Sequence, residues 1–146
     1  MTDSFEITTE IKASATNIWK AITNPEYIKK YMFGSYTKCE WKIGNDIIYY
    51  INHEAKETPI VSGKIIDIVE PTTLKLSLYP VGASYPNIDK NHIFITYRIE
   101  EHNNSSTLKI YQDGFDTASD GVKRKADAEG GWQMILPQLK KLAEEL

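Results

Sequence analysis

Residues 130–146, which read GGWQMILPQLKKLAEEL, decide how the rest of the chain must fold. Two glycines begin this stretch and Pro137 lies inside it, although Gly and Pro are the poorest helix formers, by about 1 and 3 kcal/mol relative to Ala. Apolar side chains nevertheless recur at every third or fourth position, which is the pattern of one helix face. These side chains are Trp132, Ile135, Leu139, Leu142 and Leu146. Such a helix depends on a buried face for its stability, so we expect it to pack on another part of the fold.

The N-terminal residues predict one strand followed by two short helices. The stretch FEITTEIK, residues 5–12, alternates apolar and polar side chains, as a strand with one solvated face does. Ser14 is a good N-cap for the first helix. Asn24 followed by Pro25 predicts the start of the second, because Asn caps well and Pro fits the first helical position.

Residues 35–112 predict a run of about six strands separated by turns. The strand stretches are SYTKCEW, DIIYYIN, IVSGKIIDIV, TLKLSL, HIFITYRIE and TLKIYQ. The turn signals are Gly44-Asn45, Pro71-Thr72 and HNNSS, and the stretch YPVGASYPNIDKN, residues 79–91, predicts a long loop. Gly63 predicts a bulge or bend within its strand. Consecutive strands joined by short turns form an antiparallel meander.

These elements together predict a single α+β domain over residues 1–146. A sheet with one solvated face must cover its other face, and the final helix is the long amphipathic element that remains to do so. We therefore expect a curved antiparallel sheet of six to seven strands, wrapped round a long C-terminal helix, with two short helices after the first strand.

Composition and charge restrict the function and the location. The net charge of −3 and the pI of about 5.6 argue against nucleic acid as a partner, because nucleic acid rewards a clustered basic surface. Cys39 is the single cysteine, so no internal disulfide forms. The polar N-terminus predicts no signal peptide, and no apolar run is long enough to insert in a membrane. We expect a cytoplasmic protein.

Four short motifs, in chain order, carry a resemblance to a known family. They are IKASATNIWKAITNPEYIKKYM, SGKIIDIVEPTTLKLSL, SSTLKIYQDGF and GGWQMILPQLKKLAEEL, spanning residues 11–146. This arrangement resembles the helix-grip fold of the START-like (SRPBCC) superfamily, and is most similar to the heat-shock-protein-90 ATPase activator homologues, the AHSA-like family. The chain departs from the family pattern at Tyr31-Met32, where Trp is common, and at Pro137. The resemblance implies the fold, whereas family members include ligand carriers, enzymes and co-chaperones.

Catalytic and metal-binding signals are weak. His53, His92 and His102 are not in metal-ligand spacing, and the chain lacks nucleophile-elbow, phosphate-loop and dinucleotide motifs. We therefore expect no metal, no cofactor and no catalysis. If the protein is nevertheless an enzyme of the cyclase, dehydratase or hydrolase kind, its cavity needs a converging titratable pair. The side chains to inspect for such a pair are His53, Glu54, His92, Arg98 and Asp113.

Aromatic and apolar side chains are the better candidates for a binding site. Three Trp and nine Tyr suit a cavity, because each ring combines an apolar body with a polar tip. The predicted cavity residues are Trp19, Tyr31, Phe33, Trp41, Tyr49, Leu76, Leu78, Tyr97, Trp132, Ile135 and Leu136. Ordinary core packing is the alternative for each, most of all for Trp19. Gly130 and Gly131 carry no side chains. This predicts either an open space beside the helix or a close approach of another backbone segment.

Polar anchors for a ligand are the next candidates, namely His53, His92 and Arg98. His92 and Arg98 share one side of their strand, with Phe94 and Thr96. If that side is concave, it offers an anchor, and if it is convex, it is simply the solvated face. The opposite side of the strand is the more apolar one, which favours the solvated face.

The leading hypothesis is a non-catalytic domain that binds a small hydrophobic or amphipathic molecule inside the fold. The second, implied by the resemblance alone, is a chaperone-regulating or other protein-interaction module that uses the outer sheet or the loop 79–91. The third is the cavity enzyme described above.

Overall fold

The structure, a computed structural model, describes residues 4–146 and confirms the α+β class. Seven antiparallel strands form one sheet in the order β1-β7-β6-β5-β4-β3-β2. The elements are β1 (Phe5–Ile11), α1 (Ala15–Thr23), α2 (Pro25–Tyr31), β2 (Tyr36–Thr37), β3 (Asp46–His53), β4 (Lys56–Val69), β5 (Thr73–Pro80), a 3-10 turn (Asp89–Asn91), β6 (Ile93–His102), β7 (Ser105–Asp113) and α3 (Gly121–Glu144). Within the described residues, none of the helices combines the length and apolarity of a membrane span.

The two short helices begin where their caps predict. The Ser14 hydroxyl accepts a hydrogen bond from the backbone N–H of Asn17 at 3.1 Å, and Asn24 Oδ1 accepts from that of Glu26 at 2.9 Å. Each bond satisfies an N–H that the first helical turn leaves without a partner. The caps therefore fix the points at which the chain leaves β1 and turns back over the sheet.

Irregular pairing on both sides of β4 accompanies the curvature of the sheet. The register shifts between Tyr49 and Tyr50 where β3 pairs with β4, and between Ile65 and Asp67 where β4 pairs with β5. Such bulges bend and twist a strand. At Gly63 a Cβ would lie 1.7 Å from the carbonyl oxygen of Ser77, so only glycine allows this close approach of β4 to β5.

The loop predicted at 79–91 is shorter than expected. Tyr79 and Pro80 belong to β5, because β5 continues its pairing with β4 through Val61↔Pro80. At the other end, Asn91 is almost wholly buried. Its side chain donates to the carbonyl of Pro86 at 2.9 Å and accepts from the backbone N–H of Ser119 at 2.8 Å. These bonds tie the loop to the segment that leads into α3.

Helix α3 lies across the concave face, but it is buried unevenly. After Gly121 at its start, its buried residues are Trp132, Ile135, Leu139 and Ala143. The helix continues through Pro137, which is exposed. Leu146, predicted on the apolar face, lies beyond the end of α3 and is 40% exposed. The helix therefore packs on the core from Trp132 onward, whereas the residues between Gly121 and Trp132 contribute little to it.

Candidate functional site

An apolar pocket of about 210 Å³ lies between the concave face of the sheet and the middle of α3. Every strand from β3 to β7 contributes to it, together with α3 and the turn after α2. The lining residues are Met32, Ser35, Tyr49, Ile60, Val61, Leu76, Leu78, Ile95, Tyr97, Gln112, Ala128, Gly131, Trp132 and Ile135. No carboxylate, imidazole, amine or guanidinium is among these lining side chains.

Gly131 explains part of the space. A Cβ built on Gly131 would meet no neighbouring atom within 4 Å, and the same holds for Gly130. Gly131 lines the pocket, whereas Gly130 is exposed and does not. The glycines therefore do not serve close backbone approach, and at Gly131 the missing side chain leaves room that the pocket occupies.

Four polar side chains line the pocket, namely Ser35, Tyr49, Tyr97 and Gln112, and each is more than nine-tenths buried. The exposed fractions of Tyr49, Tyr97 and Gln112 are 8%, 6% and 5%. The indole N–H of Trp132 donates to Gln112 Oε1 at 2.8 Å, and the rings of Trp132 and Tyr97 meet edge to face at 6.1 Å. These contacts bring Gln112, Trp132 and Tyr97 together on one wall.

Both pocket phenols stay neutral far into the alkaline range. Burial raises the pKa of Tyr97 well above its ordinary value. Burial likewise raises the pKa of Tyr49, and charge repulsion from Tyr97 adds to the effect. At neutral pH the pocket therefore offers uncharged hydroxyl groups.

Six of the eleven predicted cavity residues line this pocket: Tyr49, Leu76, Leu78, Tyr97, Trp132 and Ile135. The other five lie elsewhere. Trp19 and Tyr31 are buried in the core beneath α1 and α2, and the Tyr31 hydroxyl donates to the carbonyl of Ala21 at 2.8 Å. Trp41 is half-buried against the core, and Phe33 is 61% exposed.

Leu136, the fifth, lines a separate groove between β1 and α3. This groove measures about 530 Å³, and Trp132 borders both it and the pocket. Half of the residues that line the groove are exposed to solvent. They are Glu6, Glu129, Gln133, Pro137 and Lys140. The groove is larger than the pocket, but its solvated rim makes it a surface feature of the fold.

The predicted polar anchors do not reach the pocket. Arg98 is exposed on the outer face of β6, while Ile95 and Tyr97 point inward, so the solvated-face interpretation holds for that strand. His92 stacks on Tyr79 at 5.7 Å and contacts Asn87 Oδ1 at 2.6 Å on the outside of the sheet. His53 is exposed at the end of β3.

The remaining residues considered for catalysis are equally dispersed. Glu54 lies in the turn after β3, and Asp113 ends β7. The described residues contain no group of three or more His, Cys, Asp or Glu side chains that could hold a metal ion. Burial lowers the pKa of His92 below its ordinary value, but the ring contacts the neutral amide of Asn87 rather than a catalytic partner.

Gln112 is the most informative lining residue that we did not predict. Strand β7 alternates, and Leu108, Ile110 and Gln112 share its buried side. A polar residue in phase with two core residues is the sequence signal for a polar group inside the fold. Met32, Ser35, Ile60, Val61 and Ala128 carry no comparable signal, because their place depends on how α2, β4 and α3 pack.

A curved sheet that grips a long helix over an apolar pocket defines a helix-grip domain of the START-like class. Within that class, the chain belongs to the family described as Activator of Hsp90 ATPase homolog 1-like protein, which it matches over residues 12–144. The family assignment confirms the resemblance carried by the four sequence motifs.

Solved structures agree with this assignment. Protein ChR145 from Cytophaga hutchinsonii is 27% identical, with a TM-score of 0.74 over 97% of this chain and 94% of that one. An HSP90 activator from Plasmodium falciparum is 16% identical, with a TM-score of 0.71 over 95% and 94%. CalU16 from Micromonospora echinospora is 19% identical, with a TM-score of 0.71 over 96% and 75%. The last two show the fold alone. No curated protein matches the chain.

Proposed function

We propose that this chain is a cytoplasmic, non-catalytic binding protein that holds a small apolar or amphipathic molecule in the pocket beneath α3. The observation that carries the proposal is a space of about 210 Å³ lined by buried and half-buried side chains of β3 to β7 and α3. Apolar side chains dominate its lining, which is typical of small-molecule sites.

The pocket volume restricts the size of the molecule. Drug-sized ligands occupy pockets of roughly 300–1,000 Å³, whereas a dry apolar cavity of about 150 Å³ holds benzene. The pocket lies between these sizes. A compound with one aromatic or aliphatic ring and a short substituent therefore fits the space better than a lipid or a steroid.

The absence of charged side chains from the pocket lining supports binding over catalysis. Proton transfer needs a group whose pKa lies near the working pH, such as His or a perturbed carboxylate. The lining contains none, and burial makes Tyr49 and Tyr97 weaker acids than an ordinary phenol. The pocket is thus equipped to hold a molecule and poorly equipped to move its protons.

Gly131→Leu tests the binding site, with Gly130→Leu as the matched control. Both changes replace a helical glycine whose Cβ has free space, so both should leave the fold intact and gain helix propensity. The side chain introduced at position 131 enters the pocket, whereas the one introduced at position 130 does not. Binding of acetophenone and indole, followed by ligand-observed NMR, should be lost in Gly131→Leu and kept in Gly130→Leu. Equal binding by both variants contradicts the proposed site.

Native mass spectrometry of protein purified gently from its own host offers an independent test. A co-purifying mass of one-ring size, absent from Gly131→Leu, supports the proposal and identifies the ligand.

Regulation of a chaperone is the second candidate, favoured by the family match and by the fold shared with the Plasmodium activator. The surface we propose for it is the loop 79–91, where Val81 and Ile88 are both 44% exposed. Stimulation of the cognate Hsp90 ATPase by the wild-type chain, lost in Val81→Asp/Ile88→Asp, is the expected result. A pull-down that recovers no chaperone counts against this candidate.

A further inference from the structure

Hydrogen-bond donors without protein partners converge on the pocket. Among residues 4–146, the hydroxyls of Tyr49 and Tyr97 make no hydrogen bond to protein, in contrast to the Tyr31 hydroxyl. Across the same residues, no fully enclosed side-chain nitrogen or oxygen lacks a partner. Both hydroxyls therefore keep some open surface, and since both side chains line the pocket, that surface faces the pocket.

Gln112 supplies a third donor, and chemistry fixes its orientation. An indole N–H can only donate, so the atom of Gln112 that meets Trp132 must be the amide oxygen. The amide nitrogen consequently points away from Trp132. Within the described part of the chain it has no partner either, although the exposed fraction of Gln112 is only 5%.

Buried donors of this kind are costly unless water or a bound molecule satisfies them. All three keep accessible surface, so pocket water can serve them in the free protein, and a ligand that displaces this water without accepting hydrogen bonds loses affinity. Three such groups around one apolar space are more than a fold needs for packing, because Phe and Leu would fill the same positions without that cost. Their convergence points to an occupant that accepts hydrogen bonds.

We propose that the pocket selects a neutral one-ring compound bearing a carbonyl-type acceptor, which Tyr49, Tyr97 and Gln112 hold by hydrogen bonds. This inference rests on the proposed binding function and adds the chemical class of the ligand. The apolar walls formed by Leu76, Leu78 and Ile135 take the ring.

Charged ligands fit this site poorly. A carboxylate would find donors but no cation, and burying an ion without an opposite charge is expensive. An ammonium would find no carboxylate. A purely apolar compound would leave the three donors unsatisfied, so it should bind more weakly than a carbonyl compound of the same shape.

The test compares two probes of the same shape in four proteins. Acetophenone carries a C=O group where α-methylstyrene carries C=CH2, so the pair differs chiefly in the acceptor. Dissociation constants are measured by titration calorimetry or ligand-observed NMR for wild type, Tyr49→Phe/Tyr97→Phe, Tyr31→Phe and Gly131→Leu. Benzoate serves as the anionic comparison.

Wild type should prefer acetophenone over α-methylstyrene by about tenfold, which corresponds to one or two net hydrogen bonds. The preference should fall to about two- to threefold in Tyr49→Phe/Tyr97→Phe, where Gln112 is the one proposed donor that remains, while α-methylstyrene binds that variant at least as well as wild type. Tyr31→Phe should keep the wild-type preference, because its hydroxyl serves the core. Benzoate should bind more weakly than acetophenone.

Two outcomes overturn the inference, and they are distinguishable. In the first, wild type binds acetophenone and α-methylstyrene with equal affinity, and Gly131→Leu binds neither. That result means that the pocket binds apolar compounds without recognising a hydrogen-bond acceptor. Tighter binding of benzoate than of acetophenone reassigns the site to anions. If neither neutral probe binds wild type, the proposed binding function fails together with the ligand class.

Discussion

Tyr31 and Tyr97 are both buried tyrosines of the same core, yet their surroundings differ. Tyr31 ends α2, just before the turn that contributes to the pocket, and its hydroxyl bonds to the carbonyl of Ala21. Tyr97 lies under the middle of α3, where its ring packs on Trp132 and its hydroxyl has no partner among residues 4–146. The Tyr31 hydroxyl is therefore satisfied within the protein, whereas the Tyr97 hydroxyl is not satisfied by any described residue.

The difference follows from the composition of α3. Its second half carries Leu139 and Ala143, which are fully buried in the core. Closer to its middle, Ala128 and Gly131 line the pocket, and their side chains are too small to fill it. A single helix can therefore close one end of a curved sheet and leave a hollow at the other.

Truncation in the closed end should have the largest effect. Leu139 is fully buried, so Leu139→Ala should lower the free energy of unfolding by about 2–5 kcal/mol. Ile135 borders the pocket and already lacks neighbours on that side, so Ile135→Ala should cost less, near the lower end of that range. Urea denaturation measures both. A greater loss of unfolding free energy in Ile135→Ala than in Leu139→Ala would contradict the distinction between a packed part of α3 and a part that borders a hollow.

The bond between Trp132 and Gln112 comes next in size. Gln112→Met leaves the buried indole N–H without an acceptor and should cost about 1–3 kcal/mol. In the double variant with Trp132→Phe the unsatisfied donor is gone, so the two losses should not add. Chemical denaturation of all four proteins completes the double-mutant cycle. Additive losses would show that the bond contributes nothing specific to the pocket wall.

Removal of single hydroxyls compares a buried tyrosine that has a protein partner with two that have none among the described residues. Tyr31→Phe deletes a formed hydrogen bond and should cost about 0.5–1.5 kcal/mol. Tyr49→Phe and Tyr97→Phe delete hydroxyls that bond to nothing in the described part of the protein, so the free energy of unfolding should stay unchanged or rise. Thermal and urea denaturation without added ligand check this. A loss in either pocket variant equal to that of Tyr31→Phe would show an internal role for its hydroxyl.

The smallest expected effect is that of pH on the free energy of unfolding, because the buried tyrosines do not ionise near neutral pH. Burial raises the folded-state pKa of Tyr31, Tyr49 and Tyr97, so their contribution to stability is complete below the unfolded value of about 10. It is lost as pH rises through the folded values. Phenolate absorbance should therefore show these three tyrosines un-ionised until the protein unfolds.

Tyr36 provides the control for that titration. Its pKa is raised to about 12 chiefly by a hydrogen bond to Glu57, and burial is secondary. Glu57→Gln should bring the Tyr36 pKa down towards its ordinary value and leave the three buried phenols unchanged. Ionisation of all of them together at a pH of about 10 in the folded protein would contradict their burial.

Much of the fold could be predicted because its signals are local. Ser14 and Asn24 cap the helices where their side chains can reach an N–H two or three residues away. The alternation in β6 and β7 separates buried from exposed faces without knowledge of any partner strand. Loop 79–91 was less predictable, because β5 extends into it only through pairing with β4.

The pocket could be predicted only in part. Tyr49, Tyr97 and Trp132 were predicted from residue type, and Gln112 was recognisable from its place in the alternation of β7. Phe33 and Leu136 are equally apolar, yet one is exposed at the end of α2 and the other faces the groove beside β1. Residue type indicates that a side chain prefers burial, but not which of two spaces it will border.

The sequence by itself determined the order of the elements, the face that each strand buries and the family, because spacing, caps and motifs act over a few residues. Only the tertiary structure decided which polar groups remain without partners and where the hollow lies. Those properties depend on distances between side chains from five strands and a helix, and such distances exist only once the chain has closed round α3.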